Sequence, residues 1–452
     1  MSNLALISKA EKLLKSARAD YIKLHQQSVA LSEKANRHFL YGVPMHWMND
    51  WGTPAPLFVE HAEGAHFICA DGITYTDFCL GDTGAMFGHS PPAVTKAITQ
   101  QASRGYTAML PSTLAPSVGE VLTDFFGLDY WQLATTATDA NRFALRWARA
   151  VTGRNKLLVF DGCYHGTIDD TEIDVIDGKT VNRASLLGQV YDLGLHTVAL
   201  PFNDLAAVER ELAKGDVAVL LTEPALTNCG MVLPKPGFIE GLRALTTKYG
   251  TLLTLDETHT ISTARGGWAK AHHVTPDFLV VGKPIAGGLP AAAYGFSASM
   301  AEKMKMAKDN APSGHSGIGT TLSGNMMTLA AIYATLSETA TADAYRKMLA
   351  LAEKLESQLT DAINAYHLPW NISRMGARLE LQFCATPPSN AAEARMAQND
   401  SLESAIHLYL LNRGVLLTPF HNMMLICPAT SESDINKLVL IFNDFLKEIM
   451  HD

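Results

Sequence analysis

An acidic residue and a lysine each follow an apolar run in the middle of this chain of 452 residues. Asp256 ends the run at 252–255, and Lys283 follows the run at 278–282. Short apolar runs are typical of buried strands, and the carboxyl ends of parallel strands meet at one edge of a sheet. The sequence therefore predicts that Asp256 and Lys283 converge on one site.

A carboxylate and a lysine together leave three interpretations open: a structural ion pair, a metal or phosphate site, or a pyridoxal phosphate site. Pyridoxal phosphate forms a Schiff base with a lysine amine, and a carboxylate against its pyridine nitrogen keeps that nitrogen protonated. Gly282, Gly287 and Gly288 would allow the backbone to turn closely around Lys283. A buried ion pair is the simpler alternative.

A pyridoxal phosphate site also needs a place for the phosphate group. Thr136, Ala137 and Thr138 lie between a predicted strand and a predicted helix, where free N–H groups, the helix dipole and hydroxyl groups suit a dianion. A threonine at this place is equally typical of an ordinary helix N-cap. The segment 319–325, which is also rich in small and hydroxyl-bearing residues before a helix, is a second candidate.

Alternating helices and strands are predicted to position these residues. Helical periodicity that alternates with short β-rich runs is typical of βαβ units and of a mainly parallel sheet. The helices are predicted at 92–105, 113–126, 138–152, 204–214 and 236–250, and the strands at 131–134, 156–160, 197–201, 217–222, 251–256 and 278–281.

A smaller α+β unit is predicted after residue 325. It begins with one long helical stretch at 325–366 and continues with a strand near 378–384, a helix at 399–413, a strand at 415–418 and a helix at 431–449. The predicted organisation is an N-terminal helix and arm at 1–69, a large cofactor-binding domain at 70–325 and a small C-terminal domain at 326–452.

The composition argues against several classes of protein. A net charge of −9 disfavours a nucleic-acid-binding surface. Six scattered cysteines without a C-x-x-C pair disfavour a disulfide framework and a zinc ribbon, and no metal is expected. No apolar run reaches the roughly 18 residues of a membrane span, and the N-terminal segment lacks the apolar core of a signal peptide. We therefore expect a soluble cytoplasmic enzyme that binds neither nucleic acid nor membrane.

Several motifs, in this order and at this spacing, resemble one enzyme family. They are ADGITYTDFCLGDTGAMFGHSPPAV (70–94), GCYHG (162–166), EPALTNCG (223–230), DETH (256–259), GKPIAGGLP (282–290), TLSGN (321–325) and GVLLTP (414–419). Together they resemble the class III (subgroup II) aminotransferases of pyridoxal phosphate fold type I, in the branch of the glutamate-1-semialdehyde aminomutases. The resemblance implies an α/β fold: a large domain with a mainly parallel central sheet flanked by helices, and a smaller α+β domain from the N-terminal segment and the C-terminal part.

The resemblance also implies roles for matching residues. Lys283 would be the Schiff-base lysine and would carry a proton between substrate and cofactor, while Asp256 would pair with the pyridine nitrogen. Tyr164 would stack on the ring, and His165 would support the phosphate-binding loop. Further cofactor contacts are implied for Thr136, Ala137 and Thr138 at the phosphate, for Glu223 and Asn228 at the ring edge, and for Thr258 on the ring face.

Thr321 matches a threonine that in this family reaches the phosphate group held by the neighbouring subunit. That match implies a homodimer with shared active sites.

The sequence departs from the family pattern at three places, two in the cofactor site and one at the expected substrate carboxylate. Ala137 replaces a glycine of the phosphate loop, and Thr258 replaces a valine that packs on the ring. The loop Gly42–Pro56 lacks the arginine that the glutamate semialdehyde enzymes use for the substrate carboxylate, and it offers His46 and Trp47 instead. We therefore interpret the chain as an enzyme for a bulkier or less acidic amine donor, not as a glutamate-1-semialdehyde aminomutase.

A substrate carboxylate would then need another partner. Arg378 lies in a predicted strand, where its side chain faces either solvent or the pocket. Arg265 is the other arginine candidate, and His421 with Asn422 is a third polar group.

The leading prediction of function is a pyridoxal-phosphate-dependent aminotransferase that moves an amino group from an amino acid or amine to a keto acid or aldehyde. The alternative is an aminomutase or epimerase, which returns the amine to the same carbon skeleton. A third possibility is a non-catalytic protein with this fold that binds or regulates a partner. The presence of both Lys283 and Asp256 argues against that third reading.

Overall fold

The structure, a computed structural model, describes residues 3–450 in two units. The first unit comprises the described part of Met1–Pro91 with Arg346–Pro387 and Ala397–Asp452, and the second comprises Pro92–Tyr345 with Pro388–Met396. The domain boundaries predicted at 69/70 and 325/326 stay a prediction. Within residues 3–450, each helix is too short or too polar to cross a lipid bilayer.

Fourteen α-helices lie in the described residues. In chain order they are α1 (Asn3–Leu24), α2 (Gln26–Ala35), α3 (Pro92–Ala102), α4 (Ala115–Phe126), α5 (Ala137–Thr152), α6 (Leu205–Leu212), α7 (Phe238–Tyr249), α8 (Gly267–Ala271), α9 (Ala298–Asp309), α10 (Met326–Ala334), α11 (Ala342–Ala365), α12 (Ala391–Ala397), α13 (Asp400–Leu411) and α14 (Glu432–Met450).

Sixteen strands lie in the same part of the chain. They are β1 (Val59–Glu63), β2 (His66–Cys69), β3 (Thr74–Asp77), β4 (Tyr130–Ala134), β5 (Lys156–Phe160), β6 (Ile173–Ile176), β7 (Lys179–Asn182), β8 (Thr197–Leu200), β9 (Val217–Thr222), β10 (Leu252–Asp256), β11 (Phe278–Val281), β12 (Ala292–Phe296), β13 (Asn371–Met375), β14 (Arg378–Gln382), β15 (Val415–Leu416) and β16 (Met423–Leu425).

A seven-stranded sheet forms the centre of the second unit, in the order β4-β12-β11-β10-β9-β5-β8. The neighbours from β11 to β8 run parallel, and β12 is antiparallel to both β11 and β4. All residues of β9, β10, β11 and β12 are buried, as expected of a sheet covered on both faces. The prediction of an α/β fold with a mainly parallel sheet is confirmed.

The strand β12 and the hairpin of β6 and β7 are not predicted from the sequence. The run of β12 holds alanine, glycine and two aromatic residues but no β-branched residue, so its strand pattern is weak. Packing explains the glycine at position 295, because a Cβ there would lie 2.6 Å from the indole ring of Trp131 on the adjacent strand. Packing against β4 therefore favours glycine at this position.

The long helical stretch predicted at 325–366 is not one continuous α-helix. A π-helical turn at Thr335–Thr339 separates α10 from α11. The hydroxyl of Thr335 donates to the carbonyl of Ala331 at 2.7 Å, and that of Ser337 donates to the carbonyl of Tyr333 at 2.5 Å. Hydroxyl groups that bind carbonyls of the preceding turn bend or break helices.

The first unit combines N-terminal and C-terminal segments, as predicted for the smaller α+β domain. One sheet has the order β1-β2-β3-β15, in which β15 is parallel to β3, and a second sheet has the order β13-β14-β16. Tyr21 of α1, Tyr75 of β3 and Leu408 of α13 belong to one buried cluster. Distant parts of the chain therefore share one hydrophobic core.

Candidate active site

Asp256 lies at the carboxyl end of β10, and both of its carboxylate oxygens accept hydrogen bonds. Oδ2 accepts from Asn141 Nδ2 at 2.8 Å and from His165 Nδ1 at 3.0 Å. Oδ1 accepts from the Thr258 hydroxyl at 2.7 Å and from the Thr258 backbone N–H at 3.1 Å. Since Asp256 is only 4% exposed, these contacts hold the buried carboxylate in one orientation.

Two separate segments supply the polar partners of Asp256. Asn141 comes from the second turn of α5, and His165 comes from the loop after β5. Asn141 Nδ2 also lies 3.3 Å from the backbone carbonyl of His165, so the amide joins both segments to β10. Asn141 is not among the predicted site residues, although its place one turn after Thr136–Thr138 puts it on the same helix end.

The electrostatics of this cluster favour an ionised Asp256. Burial alone would raise the pKa of Asp256, but the hydrogen bond and charge of His165, together with the hydrogen bonds of Thr258 and Asn141, lower this pKa well below its usual range. Burial has the opposite effect on His165, whose pKa it would lower, but the hydrogen bond to Asp256 raises the pKa of His165. Asp256 therefore carries a negative charge throughout the neutral pH range.

Lys283 follows β11, the strand next to β10 in the sheet. Because Asp256 pairs with Val280 in a parallel register, Asp256 and Lys283 lie at the same edge of the sheet. Lys283 Nζ lies 3.0 Å from Nε2 of His259, which belongs to the turn directly after β10. His259 is not among the predicted site residues, although it lies three positions after Asp256 in the DETH motif.

The N-terminus of α5 packs tightly against the loop after β5 and the loop after β11. A Cβ on Gly282 would lie 2.9 Å from Cβ of Ala137, and a Cβ on Gly166 would lie 2.8 Å from Cα of Thr138. Only glycine permits backbone approaches this close. The hydroxyl of Thr136 accepts from the backbone N–H of Asp139 at 3.2 Å, which makes Thr136 the N-cap of α5.

The remaining predicted cofactor residues differ in burial. Glu223 is 2% exposed, and its Oε2 accepts a hydrogen bond from the Thr227 hydroxyl. Burial raises the pKa of Glu223 to about 7. Its buried Oε1 has no hydrogen-bond partner among residues 3–450. Asn228 and Tyr164 are exposed, with Tyr164 37% accessible.

The second candidate segment for phosphate binding lies beside the first. The hydroxyl oxygen of Thr135 is 3.3 Å from that of Thr320 and 3.4 Å from that of Ser323. Thr321, between them, is exposed. Residues 319–325 thus lie next to the N-terminus of α5 within the same chain.

Three residues predicted to contact the substrate belong to the first unit. His46 and Trp47 are exposed in a short 3-10 helix at His46–Asn49. Arg378, 2% exposed, donates to the Thr83 hydroxyl at 2.5 Å and lies 3.5 Å from a carboxylate oxygen of Asp82. The predicted strand is not solvent-exposed on either face, because all five residues of β14 are buried. The substrate role of Arg378 stays a prediction.

Arg265 belongs to the second unit but packs on α4. Its guanidinium carbon lies 4.9 Å from the centre of the Phe125 ring, and its Nη2 is 3.5 Å from a carboxylate oxygen of Asp124. The guanidinium group of Arg265 therefore contacts Phe125 and Asp124, and its substrate role stays a prediction. Within residues 3–450, no group of three or more histidine, cysteine and acidic side chains is arranged to hold a metal ion.

The residues at this sheet edge fit pyridoxal phosphate. An ionised carboxylate is what a protonated pyridine nitrogen needs, and a lysine amine at the same edge is what the aldehyde needs. The tight approaches at Gly166 and Gly282 leave the helix N-terminus of α5 adjacent to Lys283. The orphaned Oε1 of Glu223 offers a further buried polar atom.

Fold and site together define a class III pyridoxal phosphate enzyme. The family model "Aminotransferase class-III" matches residues 47–446, and the chain belongs to that family. The predicted family, the fold type and the cofactor pyridoxal phosphate are confirmed by this membership.

Individual members of the family are similar to the chain over most of its length. The chain is 34% identical over 404 residues to glutamate-1-semialdehyde 2,1-aminomutase 2 of Exiguobacterium sp., covering 88% of this chain and 91% of that protein. It resembles the crystal structure of a glutamate-1-semialdehyde aminomutase from Pseudomonas aeruginosa PAO1 with a TM-score of 0.95 and 46% identity, over 98% of this chain and 99% of that one. A variant of that aminomutase in complex with PMP gives a TM-score of 0.96 and 45% identity over the same shares.

Proposed function

We propose that the protein is a pyridoxal-phosphate-dependent aminomutase of the glutamate-1-semialdehyde type, which moves an amino group within one carbon skeleton. The observation that carries the amino-transfer chemistry is Asp256 and Lys283 at one sheet edge, with Asp256 held ionised. The 46% identity over nearly the whole chain supports the aminomutase outcome. These relatives favour the alternative function over the aminotransferase that the sequence analysis put first.

Each residue of the site has a proposed task toward the cofactor. Lys283 holds the aldehyde carbon, Asp256 keeps a proton on the pyridine nitrogen, and the N-terminus of α5 at Thr136–Thr138 receives the phosphate. Tyr164 and Thr258 would pack on the cofactor ring, and Glu223 and Asn228 would contact the ring edge. When bound, pyridoxal phosphate supplies an electron sink for the bonds at the substrate carbon that carries the amine.

The protein groups then control protons and charge. Asp256 balances the positive pyridine nitrogen, and its four hydrogen bonds prevent it from taking that proton itself. Lys283 Nζ would carry a proton between the substrate carbon and the cofactor. His165, through its contact with Asp256, stabilises the negative charge of that carboxylate.

A second candidate function is an intermolecular aminotransferase. The observation that favours it is the absence of arginine from the loop Gly42–Pro56, where the resemblance places the arginine for the substrate carboxylate. In that case His46 and Trp47 would receive a bulkier or less acidic amine, and Arg378 or Arg265 would have to serve a carboxylate. The engaged guanidinium groups of both arginines make that role the weaker part of the proposal.

We further propose that the active form is a cytoplasmic homodimer in which Thr321 of each subunit reaches the phosphate bound by the other. The exposure of Thr321, which leaves its side chain accessible to a second subunit, supports this arrangement. Light scattering on dilution measures whether the chain is a dimer, and cofactor retention is followed in the same samples. A monomer that is fully active would contradict shared active sites.

The experiment that tests the function supplies one substrate at a time. Given glutamate-1-semialdehyde alone, an aminomutase forms an isomer of the same mass that keeps its amine, releases no deaminated product and needs no keto acid. An aminotransferase releases one equivalent of carbonyl product per site and then stops until a keto acid is added. Lys283→Ala should abolish both outcomes and the borohydride-reducible attachment of the cofactor. If glutamate-1-semialdehyde and a broad panel of amines all fail to react, the aminomutase and the aminotransferase proposals are both wrong. The remaining interpretation is then a non-catalytic protein with this fold.

A further inference from the structure

The turn after β10 brings a histidine onto the lysine of the site. His259 Nε2 lies 3.0 Å from Lys283 Nζ, which is hydrogen-bond distance between an imidazole nitrogen and an amine. His259 is 7% exposed, so the contact is largely shielded from water. The cofactor roles proposed above do not use this histidine.

Both partners of this contact are fixed by their backbones. The carbonyl of His259 accepts from the Ser262 hydroxyl at 2.9 Å and from the Ser262 backbone N–H at 3.2 Å, which closes the turn. Lys283 has a φ of +45°, a left-handed conformation that non-glycine residues rarely adopt. Such strain persists only where the surroundings hold it, and it is concentrated at functional sites. The strained backbone is therefore consistent with an amine that must point in one direction.

An imidazole in this position can do more than fill space. An imidazole nitrogen accepts a proton and returns it near neutral pH, whereas an amide or a hydroxyl group only forms a hydrogen bond. A lysine that acts as nucleophile and base must lose a proton from its ammonium form first. At 3.0 Å the proton needs only a short displacement along the existing hydrogen bond.

We propose that His259 is a second proton-carrying residue of the site, which takes a proton from the Lys283 ammonium group and returns it. This inference deepens the proposed function and rests on it for the role of Lys283. In the forward step one N–H bond breaks at Lys283 Nζ and one forms at His259 Nε2. The nitrogen electron pair of Lys283 becomes free, and the total charge of the pair stays the same. In the reverse step the proton returns and restores the ammonium group.

The test measures the amine of Lys283 without any substrate. The full-length chain, freed of its cofactor, is treated with trace acetic anhydride near neutral pH, and acetylation of Lys283 is quantified by peptide mass spectrometry. Lys303, an exposed residue of α9, serves as the internal reference. We expect His259→Gln to lower the ratio of Lys283 to Lys303 acetylation about tenfold, because glutamine forms hydrogen bonds but accepts no proton.

A matched control separates this effect from the general loss of a histidine. His272 stacks on Trp268 with ring centres 4.1 Å apart, and His272→Gln should leave the ratio unchanged. If His259→Gln does not fold, as judged by retention of added pyridoxal phosphate, His259→Asn replaces it with the same expected fall. An unchanged or increased ratio in the folded variant overturns the proposal and leaves His259 as a hydrogen-bond partner only.

The outcome is independent of the proposed reaction. One result is that the acetylation ratio falls tenfold in His259→Gln while the wild type neither isomerises glutamate-1-semialdehyde nor transfers amines. That result would support the proton relay and contradict the proposed function. A chain that isomerises glutamate-1-semialdehyde with an unchanged acetylation ratio would lose only the relay.

Discussion

Gly166 offers a sharp test of how the loop after β5 supports the phosphate-binding end of α5. Its φ is +82°, and a Cβ there would lie 2.0 Å from the hydroxyl oxygen of Thr138 and 2.8 Å from Cα of the same residue. The hydroxyl could rotate away, but the backbone of Thr138 would have to shift. Gly166→Ala should therefore disturb the segment that we propose to hold the phosphate.

The expected cost has two parts. An alanine in the left-handed region costs about 1–2 kcal/mol relative to glycine. Forcing a methyl group into a packed contact costs about 1–3 kcal/mol more. Gly178, in the turn between β6 and β7, provides the control, because its φ is +72° and nothing lies within 4 Å of its would-be Cβ. Gly178→Ala should therefore show only the first part.

Urea unfolding of both variants without cofactor measures the difference in the free energy of unfolding. We expect Gly166→Ala to be less stable than Gly178→Ala by about 1–3 kcal/mol. Displacing the N-terminus of α5 should also weaken pyridoxal phosphate binding about tenfold, since a hydrogen bond to a charged group contributes about 1.5–3 kcal/mol. Equal stabilities and equal cofactor affinities for the two variants would refute the packing argument.

Three further predictions concern the same site. Asp256→Asn should keep most of the cofactor affinity but slow removal of the substrate proton by orders of magnitude, because an amide cannot hold the pyridine nitrogen protonated; a near-normal turnover number would contradict this role. Glu223→Gln should change the pH dependence of stability. The raised pKa of Glu223, about 7 against 4.5, means that its contribution is complete below about pH 4.5 and is lost as the pH rises through 7. We therefore expect the difference in the free energy of unfolding between the cofactor-free wild type and this variant to fall by about 3 kcal/mol from pH 4.5 to pH 8. A difference that stays constant over this range would exclude the raised pKa of Glu223. Thr321→Asp should speed cofactor loss by placing like charges together, measured by gel filtration and absorbance, whereas unchanged retention would argue against a phosphate contact.

Much of this protein could be predicted from local sequence patterns. The apolar runs before Asp256 and Lys283 are the strands β10 and β11, and their carboxyl ends share an edge because parallel neighbours must start and end on the same sides. The threonine at position 136 and the helical periodicity after it predict the start of α5. Such features depend on neighbours within one or two turns of the chain, which is why a single sequence reveals them.

Other features depend on contacts between distant segments. The antiparallel strand β12 carries little strand propensity of its own, and only its place between β11 and β4 selects that conformation. The strand β15 has two residues and pairs with β3, more than 330 positions earlier in the chain. The burial of Arg378 against Thr83 likewise follows from pairing within the first unit and not from the alternation along β14.

The chemistry of the site divides along the same line. The sequence by itself indicated that a carboxylate and a lysine lie at the ends of two strands of one sheet, and the motifs around them indicated the family. Only the tertiary structure decided that Asn141 and His165 hold Asp256, 115 and 91 positions away, and that His259 lies on Lys283. The physical reason is that a hydrogen bond requires a certain distance and direction in space. The chain reaches that geometry only when the loops after β5 and β11 pack against the N-terminus of α5.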